Sequence, residues 1–328
     1  MSSITGKAGI SMNRRELLKH SAAAGLAAGM SSICGRKATA QASTSGPAAD
    51  TTSPLSVPFG GKLPAAFVLG KDAEVLDFCG PLEVFAGAAT KDGTPLFAPC
   101  TVAATSAPVI VRGNMKVVPD YDFKSAPQPK MIVIPAMDDD SASDEMYEWI
   151  RMASKDADVT MSVCTGAFVL AKTGLLNGKS ATTHHSGYFM LAANYPQVHL
   201  VRGARFVEQG DLATAGGVSS GIDLAIRVVE RYVGRETTDE LIDMLEYQGK
   251  GWQSAASNQA FATMPQLTGP KPLCAVCYMD VDRSVSASYK GRAYYFCMES
   301  HKTLFEKHTG VFDRFLAEDA AAGSKLNT

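Results

Sequence analysis

Residues 158–185 read DVTMSVCTGAFVLAKTGLLNGKSATTHH, and the rest of the chain is arranged around them. The β-branched run at 159–163 predicts a short buried strand. Apolar residues with helical spacing follow at 168–171, up to a Thr-Gly stop. Cys164 therefore lies on a sharp turn between the end of a strand and the start of a helix. The free N–H groups and the positive end of the helix dipole at that turn favour a thiolate over a thiol.

Two histidines follow later in the same stretch. His184 and His185 come after a second strand-like run at 180–183. With Cys164 and the free N–H groups of its turn, they offer a nucleophile, oxyanion donors and a proton carrier. The alternative is structural, because free cysteines are often small core residues and a histidine can have a purely structural polar role.

Length and composition limit the classes of function. The chain of 328 residues has room for one sizeable α/β domain and one small domain. Its formal net charge of −2 gives no general attraction to nucleic acid, which predicts no nucleic-acid partner. The seven cysteines are unevenly placed, with three of them crowded at 274, 277 and 297. This unevenness indicates two separate chemistries and not one disulfide framework.

The N-terminal residues have the features of a targeting signal. Residues 12–19 read MNRRELLK and resemble the twin-arginine export signal, and an Ala/Gly-rich run follows at 21–33. We predict a signal peptide at 1–42 and a flexible tether at 43–61, rich in Ser, Thr, Pro and Gly. The mature protein is then expected to be periplasmic or otherwise exported, without a stable membrane anchor. An amphipathic surface helix with a chance pair of arginines is the alternative.

The residues before Cys164 alternate between strand and helix patterns. Apolar runs at 65–69 and 131–135 predict strands buried on both faces, and 144–154 predicts an amphipathic helix. Pro81 suits the first turn of another helix, which places Asp77 just ahead of that helix. Such alternation predicts a mostly parallel sheet covered on both faces, with ligands bound at the carboxyl ends of its strands. Without further information, Asp77 could equally be a helix N-cap.

Three segments together resemble one family. LDFCGPLEVF, SVCTGAFVLAKTGLLNGKSATTHH and ATAGGVSSGIDLAIRVVERYVG are similar to the ThiJ/PfpI superfamily, in the branch of isonitrile hydratases and the amidotransferase-like halves of AraC-type regulators. The resemblance covers residues 64–248 and implies a flavodoxin-like α/β sandwich, of the class I glutamine amidotransferase type, as a domain at 62–248. It implies that Cys164 is the nucleophile, that Asp77 is its acidic partner and that Thr165 supplies a backbone N–H.

The same resemblance implies an activity. A hydratase or hydrolase of the isonitrile hydratase type would act on a small electrophilic carbon compound and need no cofactor for its cysteine chemistry. Relatives of this kind are commonly dimers, which allows a homodimer. No helix-turn-helix pattern follows the domain, so DNA binding is not expected. His184 matches the histidine position of the family, whereas His185 stands where relatives frequently have Trp.

One further departure concerns the strand that faces the nucleophile. Relatives often have a Gly-Gly pair after it, and here the run is Pro135-Ala136-Met137. We expect the Ala136 N–H to serve the oxyanion and Met137 to narrow the pocket.

A second domain is predicted at 272–316, after a linker at 249–271 and before a tail at 317–328. It carries the pattern C-x2-C-x19-C-x3-H, whose spacing is close to that of structural zinc sites. The segment resembles the YHS/TRASH family of small metal-associated domains, which implies a small α+β fold. A histidine as fourth ligand favours zinc, with copper as the alternative metal. A disulfide within the group is the competing interpretation. The predicted metal ligands are Cys274, Cys277, Cys297 and His301.

Two hypotheses follow from the two domains. The first is an exported cysteine-dependent enzyme, which predicts a thiol pKa at Cys164 below that of free cysteine. The second is a periplasmic metal-handling or metal- or redox-sensing protein whose α/β domain is a non-catalytic scaffold.

Overall fold

The computed structural model describes residues 52–57, 62–138 and 141–327. The export signal predicted at 1–42 lies outside these residues, as does the tether predicted at 43–61 apart from 52–57. Both stay predictions.

The described residues contain thirteen β-strands. In chain order they are β1 (Leu63–Val68), β2 (Phe97–Ala103), β3 (Val109–Val111), β4 (Met115–Val117), β5 (Tyr121–Asp122), β6 (Met131–Ile134), β7 (Val159–Val163), β8 (Ser180–Ala181), β9 (His199–Leu200), β10 (Phe206–Gln209), β11 (Leu212–Ala215), β12 (Val285–Tyr289) and β13 (Arg292–Phe296). Seven of them form the main sheet in the order β10-β11-β7-β6-β1-β2-β5. All neighbours in it pair in parallel except β10 and β11.

The same residues contain seven α-helices. They are α1 (Val75–Gly87), α2 (Asp144–Ala153), α3 (Gly166–Lys172), α4 (Tyr188–Asn194), α5 (Ser220–Met244), α6 (Glu299–Lys307) and α7 (Thr309–Ala321). Side chains from α1 and α5 pack in one core with one face of the sheet. Side chains from α2 and α3 pack in a second core on the other face. This three-layer arrangement confirms the predicted flavodoxin-like α/β fold.

The sequence pattern explains the central strands. Every residue of β6 and β7 is buried, as expected for strands with apolar neighbours on both faces. β7 lies in the middle of the sheet, between β6 and β11, so the turn after it opens at the carboxyl edge of three parallel strands. This edge is where sheets of this type bind ligands.

The first helix begins earlier than expected from Pro81. α1 starts at Val75, with Glu74 in extended conformation as its N-cap, and Pro81 lies inside the helix. Asp77 is therefore a helical residue and not a residue ahead of the helix. Because proline has no N–H, the carbonyl of Asp77 receives no bond from position 81.

The C-terminal residues pack against the α/β sandwich. β12 and β13 form an antiparallel hairpin, and its aromatic side chains share a core with α6 and α7. The same core includes Tyr188 and Phe189 of α4, so the hairpin region and the sandwich are joined by buried apolar surface. The described residues from 52 to 327 accordingly belong to one compact unit.

The segment predicted as a linker, 249–271, is anchored by apolar side chains. Trp252, Met264 and Leu267 are each at most 2% exposed. At the other end of the chain, α7 continues to Ala321 and so includes residues assigned to the tail. None of the helices described in the structure has the length and apolar character needed to span a bilayer.

Candidate active site and metal centre

Cys164 occupies a strained backbone turn between β7 and α3. Its φ of 57° lies in the left-handed region that favours glycine. Its N–H donates to the carbonyl of Gly216 at 2.9 Å, and its own carbonyl accepts from the Thr183 hydroxyl at 2.8 Å. Such strain persists only where the surroundings hold it, and here two separate segments do so.

Gly166 allows the turn at Cys164, called the elbow below, to approach the end of β6. A Cβ at this position would overlap the carbonyl oxygen of Ile134 and lie 2.7 Å from that of Pro135. We expect Gly166→Ala to lower the free energy of unfolding by about 1–3 kcal/mol, because the backbone must move to admit the methyl group. Urea unfolding measures this difference.

Gly310 supplies the matched control for that substitution. A Cβ there meets nothing within 4 Å, and the residue lies in α7. Gly310→Ala should therefore leave stability unchanged or raise it slightly, since alanine is the better helix former. Equal unfolding curves for the two variants would contradict the close packing at the elbow.

The sulfur of Cys164 lies in a mixed environment. Backbone N–H groups of Thr165 and Val218 bond to it and favour the thiolate. Burial opposes the thiolate more strongly, and the nearby Asp77 carboxylate adds to this, so the pKa of the thiol is raised to about 12. The expected pKa below that of free cysteine is therefore wrong. The short helix α3 and two N–H groups do not outweigh burial next to a carboxylate.

Asp77 is fully buried beside this thiol. Its Oδ2 accepts a bond from the N–H of Ala136 at 3.0 Å, whereas its Oδ1 is buried without a hydrogen-bond partner. Burial raises the pKa of the carboxyl group to about 7. Because Glu74 is the N-cap of α1, the alternative role of Asp77 as a helix cap does not apply.

That hydrogen bond also changes the role expected for Ala136. Its N–H is bonded to Asp77 and is not free for an oxyanion. Met137, which was expected to narrow the pocket, packs instead toward Gly70, where an added Cβ would lie 2.6 Å from its sulfur. It is not among the residues that line the neighbouring cleft.

A cleft of about 250 Å³ lies beside the elbow. Val218, which bonds to the Cys164 sulfur, and Thr183, which bonds to the Cys164 carbonyl, both belong to its wall. Leu76, the neighbour of Asp77, is a third wall residue. The complete lining is Leu76, Thr183, His184, His185, Tyr188, Arg205, Gly217, Val218, Ser219, Asn258 and Phe261.

His184 lies on the cleft wall in a neutral state. Its Nδ1 accepts from the N–H of Ser186 at 3.2 Å, which leaves the ring proton on Nε2. Burial and the adjacent His185 lower the pKa of His184 to about 4. At neutral pH it is therefore an uncharged wall residue and not a cationic proton donor.

The structure brings the four predicted metal ligands together. One donor atom from each of Cys274, Cys277, Cys297 and His301 lies within 4.8 Å of all the others. Cys274 and Cys277 are on a tight turn held by the bond from the Tyr278 N–H to the Cys274 carbonyl, at 2.9 Å. Cys297 follows β13 directly, and His301 is in the first turn of α6.

The spacing of these donors suits a tetrahedral ion. Cys277 Sγ is 3.6 Å from Cys297 Sγ, and His301 Nδ1 is 3.5 Å from Cys274 Sγ. A tetrahedral zinc ion with ordinary bond lengths needs S···S separations of about 3.8 Å and S···N separations of about 3.5 Å. All of these thiols are free, and a hydrogen bond from Cys277 lowers the pKa of Cys274. The group could therefore bind a metal.

Several site residues were not assigned from the sequence, and three of them matter most for the chemistry of the cleft. Val218 supplies an N–H to the sulfur, and Asn258 and Phe261 line the cleft. The Gly-Gly pair at 216–217 was a usable signal for Val218, because consecutive glycines before a helix often expose backbone donors. No comparable pattern marks the other two residues.

Fold and site together define an α/β protein with a cysteine on a strand-to-helix elbow and a buried acid beside it. The chain belongs to the DJ-1/PfpI family, whose family model matches residues 64–231.

Comparison with individual relatives gives a mixed functional picture. The isonitrile hydratase of Pseudomonas putida is 31% identical over 193 residues, which are 56% of this chain and 78% of that protein. The HTH-type transcriptional regulator CdhR of Pseudomonas aeruginosa is 23% identical over 146 residues, 40% of this chain and 44% of the regulator. The crystal structure of a ThiJ/PfpI family protein from Pseudomonas syringae superposes with a TM-score of 0.52 at 21% identity, covering 63% of this chain and 93% of that one. The family thus includes an enzyme and regulators.

Proposed function

We propose that this protein is an exported cysteine-dependent hydratase of the isonitrile hydratase type, acting on a small neutral substrate. One observation carries the proposal: the Cys164 thiol and the Asp77 carboxyl lie next to each other in a buried pocket that borders a cleft. Their raised pKa values leave one proton for the pair from about pH 7 to about pH 12. The similarity to the Pseudomonas putida hydratase supports the reaction type.

The chemistry follows from moving that one proton. Asp77 takes the thiol proton and delivers it to the terminal carbon of the isonitrile, while the sulfur of Cys164 bonds to the same carbon. The product is a covalent thioimidate, R–N=CH–S. Water then adds to its carbon and the C–S bond breaks. The transferred proton stays on that carbon as the formyl C–H, while the two protons of the water go to the nitrogen and, through Asp77, to the thiolate. The net reaction is isonitrile plus water to N-substituted formamide, with no oxidant or cofactor required.

The surroundings suit each of these steps. The N–H groups of Thr165 and Val218 stabilise the sulfur when it carries charge. The Asp77 Oδ1 has no hydrogen-bond partner and is free to carry the proton. Burial of both groups keeps bulk water from competing for that proton.

A covalent adduct tests the proposal directly. The full-length protein is mixed with a ¹³C-labelled isonitrile, sampled at short times by acid quench and analysed by peptide mass spectrometry and NMR. We expect labelled N-substituted formamide and an adduct of the substrate mass on the peptide that contains Cys164. No formamide, or an adduct confined to another cysteine such as Cys79 or Cys100, would overturn the proposal.

A second candidate function rests on the group of three cysteines and one histidine. We propose as the alternative a periplasmic metal-handling or metal- or redox-sensing protein with a non-catalytic α/β scaffold. It predicts about one equivalent of bound metal, with zinc favoured over copper, and a metal response that Cys164→Ala leaves unchanged. The first candidate instead predicts that the same variant loses turnover while keeping the metal.

Both candidate functions include export of the protein and allow a homodimer. The twin-arginine pattern at residues 12–19 supports export, and N-terminal sequencing of the protein from a periplasmic fraction tests it. A homodimer is proposed from the family resemblance alone, and light scattering of the mature protein measures the mass.

A further inference from the structure

We propose that Phe261 and His185 form an aromatic subsite for a planar, unsaturated substituent on a neutral substrate. The inference rests on the proposed function and names its substrate class: isonitriles whose nitrogen carries an aromatic group such as benzyl. Phe261 lies beyond the residues 64–231 matched by the family model, in the segment that the sequence presents as a linker. Phe261 is thus contributed to the cleft by the part of the chain that follows the family match.

Three rings form a short stack along the cleft wall. The ring of His185 lies 4.6 Å from that of Phe261, with an angle of 19° between their planes. On its other side His185 lies 4.2 Å from His184. Phe261 is nevertheless 46% exposed, so part of its ring remains open to a ligand. Offset stacking is the arrangement that aromatic groups prefer, and a further ring would continue it.

The segment that carries Phe261 is held in place by bonds to distant residues. The N–H of Trp252 donates to the buried Asp223 at 3.0 Å. The N–H of Arg205 donates to the carbonyl of Ala255 at 2.6 Å. Beyond Phe261, the N–H of Met264 donates to the carboxylate of Asp319 at 2.9 Å. The aromatic wall is therefore fixed before a ligand arrives, which lowers the entropic cost of binding.

The charge in the cleft favours a neutral ligand. Arg205 is the charged side chain of the lining, and its three guanidinium nitrogens are bonded within the protein. They donate to Asp223 at 2.6 Å, to Asn258 at 3.3 Å and to Ser219 at 3.0 Å. Both histidines are held in the neutral form by burial, which lowers their pKa values. No side chain in this lining therefore offers an unpaired positive charge that would attract an anionic group on the substrate, such as a carboxylate.

The subsite lies within reach of the reactive pair. Val218 bonds to the sulfur of Cys164 and lines the same cleft as Phe261 and His185. A substrate with its isonitrile carbon at the sulfur would therefore extend its substituent along this wall. A cleft of about 250 Å³ exceeds the roughly 150 Å³ of a cavity that binds benzene, so it has room for such a ring.

Kinetics with two substrates test the subsite in the full-length protein. For Phe261→Ala we expect the KM for benzyl isonitrile to rise about five- to tenfold with little change in kcat, because a stacking contact is lost. The KM for methyl isonitrile should change less than about twofold, because this substrate has no ring to stack. Phe261→Tyr keeps the ring and should behave as wild type. His185→Leu, which removes the middle ring, should resemble Phe261→Ala.

Tyr121→Ala is the matched control, because Tyr121 is an exposed aromatic residue on the edge strand β5, outside the cleft lining. It should leave both KM values unchanged. Equal effects of Phe261→Ala on the benzyl and methyl substrates would overturn the subsite while leaving the hydratase in place.

Binding of N-benzylformamide separates the subsite from the reaction. Saturation-transfer NMR and calorimetry report its affinity without any turnover. If the wild-type protein hydrates no isonitrile but still binds this amide more tightly than Phe261→Ala does, the subsite stands and the hydratase fails. If the affinity is the same in both proteins, the subsite is wrong.

Discussion

Replacing Cys164 with alanine should abolish isonitrile turnover, with a loss of at least about 10³-fold in kcat/KM, because the carbon–sulfur bond can no longer form. The measurement is formamide production followed by NMR, together with disappearance of the isonitrile stretching band in the infrared spectrum. Cys100→Ala is the control, since this residue is also a free cysteine, although only partly buried, and lies on β2 away from the elbow. Retained turnover in Cys164→Ala would remove the cysteine mechanism.

Asp77→Asn should lower kcat/KM by about 10²–10⁴-fold, because the amide cannot carry the thiol proton to the substrate. The amide oxygen can still accept the N–H of Ala136, so the local hydrogen bond is preserved. The free energy of unfolding of this variant distinguishes loss of the proton carrier from loss of the fold. The native pKa of Asp77 is about 7 and its reference value is 3.8, so the wild-type protein loses stability as the pH rises between these values. D77N should therefore be at least as stable as wild type above neutral pH.

The pH dependence of kcat/KM tests which protonation state of the Cys164–Asp77 pair is active. Only the form of the pair with a single proton can both attack and protonate the substrate, so kcat/KM should rise with pH up to about 7 and then level off. The upper limit of the plateau is set by the thiol, whose pKa is about 12. A rate that falls as the pH rises through neutrality would mean that Asp77 acts only as a protonated acid, and would contradict the shared-proton scheme.

The fold was predictable because its signals are local. A strand of β-branched residues at 159–163, a turn at Cys164 and helical spacing after it are properties of neighbouring residues, and they require no tertiary information. The four metal ligands were predictable for the same reason. Two of them share one tight turn, and Cys297 and His301 are separated by one helical turn.

The protonation states could not be predicted in this way. The thiol pKa at Cys164 depends on how deeply the tertiary structure buries it and on a carboxylate 87 positions earlier in the chain. The helix dipole and the free N–H groups of the turn are visible in the sequence and favour the thiolate, whereas the depth of burial that opposes it is not, and the predicted direction was therefore wrong. The N–H of Ala136 is a second example. It was expected to serve an oxyanion, but it bonds to Asp77, which lies 59 positions earlier in the chain, and the sequence does not reveal such a distant bond.

Asn258 and Phe261 were not predicted as cleft residues because the segment that carries them has no periodic pattern. Residues 249–271 contain many small and polar residues, which is typical of a linker. They are fixed by scattered contacts, such as the burial of Trp252 and the cation–π contact of its ring with Arg235 at 4.0 Å. Such contacts join residues far apart in sequence, so composition gives no indication of them.

Removing the metal should unfold the C-terminal region before the α/β sandwich. We expect the protein to be isolated with about one zinc per chain, measured by inductively coupled plasma mass spectrometry. Two buried thiols and a half-buried third lie together at this site, and an ion bound to all four ligands would join the turn of Cys274 and Cys277 to the end of β13 and to His301. Chelation, or Cys297→Ala, should therefore lower the free energy of unfolding by about 4–5 kcal/mol or more.

Limited proteolysis locates this effect along the chain. In the metal-free protein, cleavage should begin between 272 and 321, whereas 62–248 should resist, because its core is built from the separate packing of helices on the sheet. Cys79→Ala is the matched control, since this free cysteine lies outside the ligand group and should leave metal content unchanged.

A disulfide in place of the metal predicts the opposite pattern. Intact mass would then be lower by two hydrogens for each bond, chelators would have no effect and a reductant would destabilise the protein. Because Phe189 of α4 packs in the same core as Phe305 and Phe315, loosening of the metal region would also remove support from the helix that follows the two cleft histidines. Hydrogen exchange in α4 should therefore increase on chelation, and unchanged exchange there would show that the metal region and the cleft are mechanically independent.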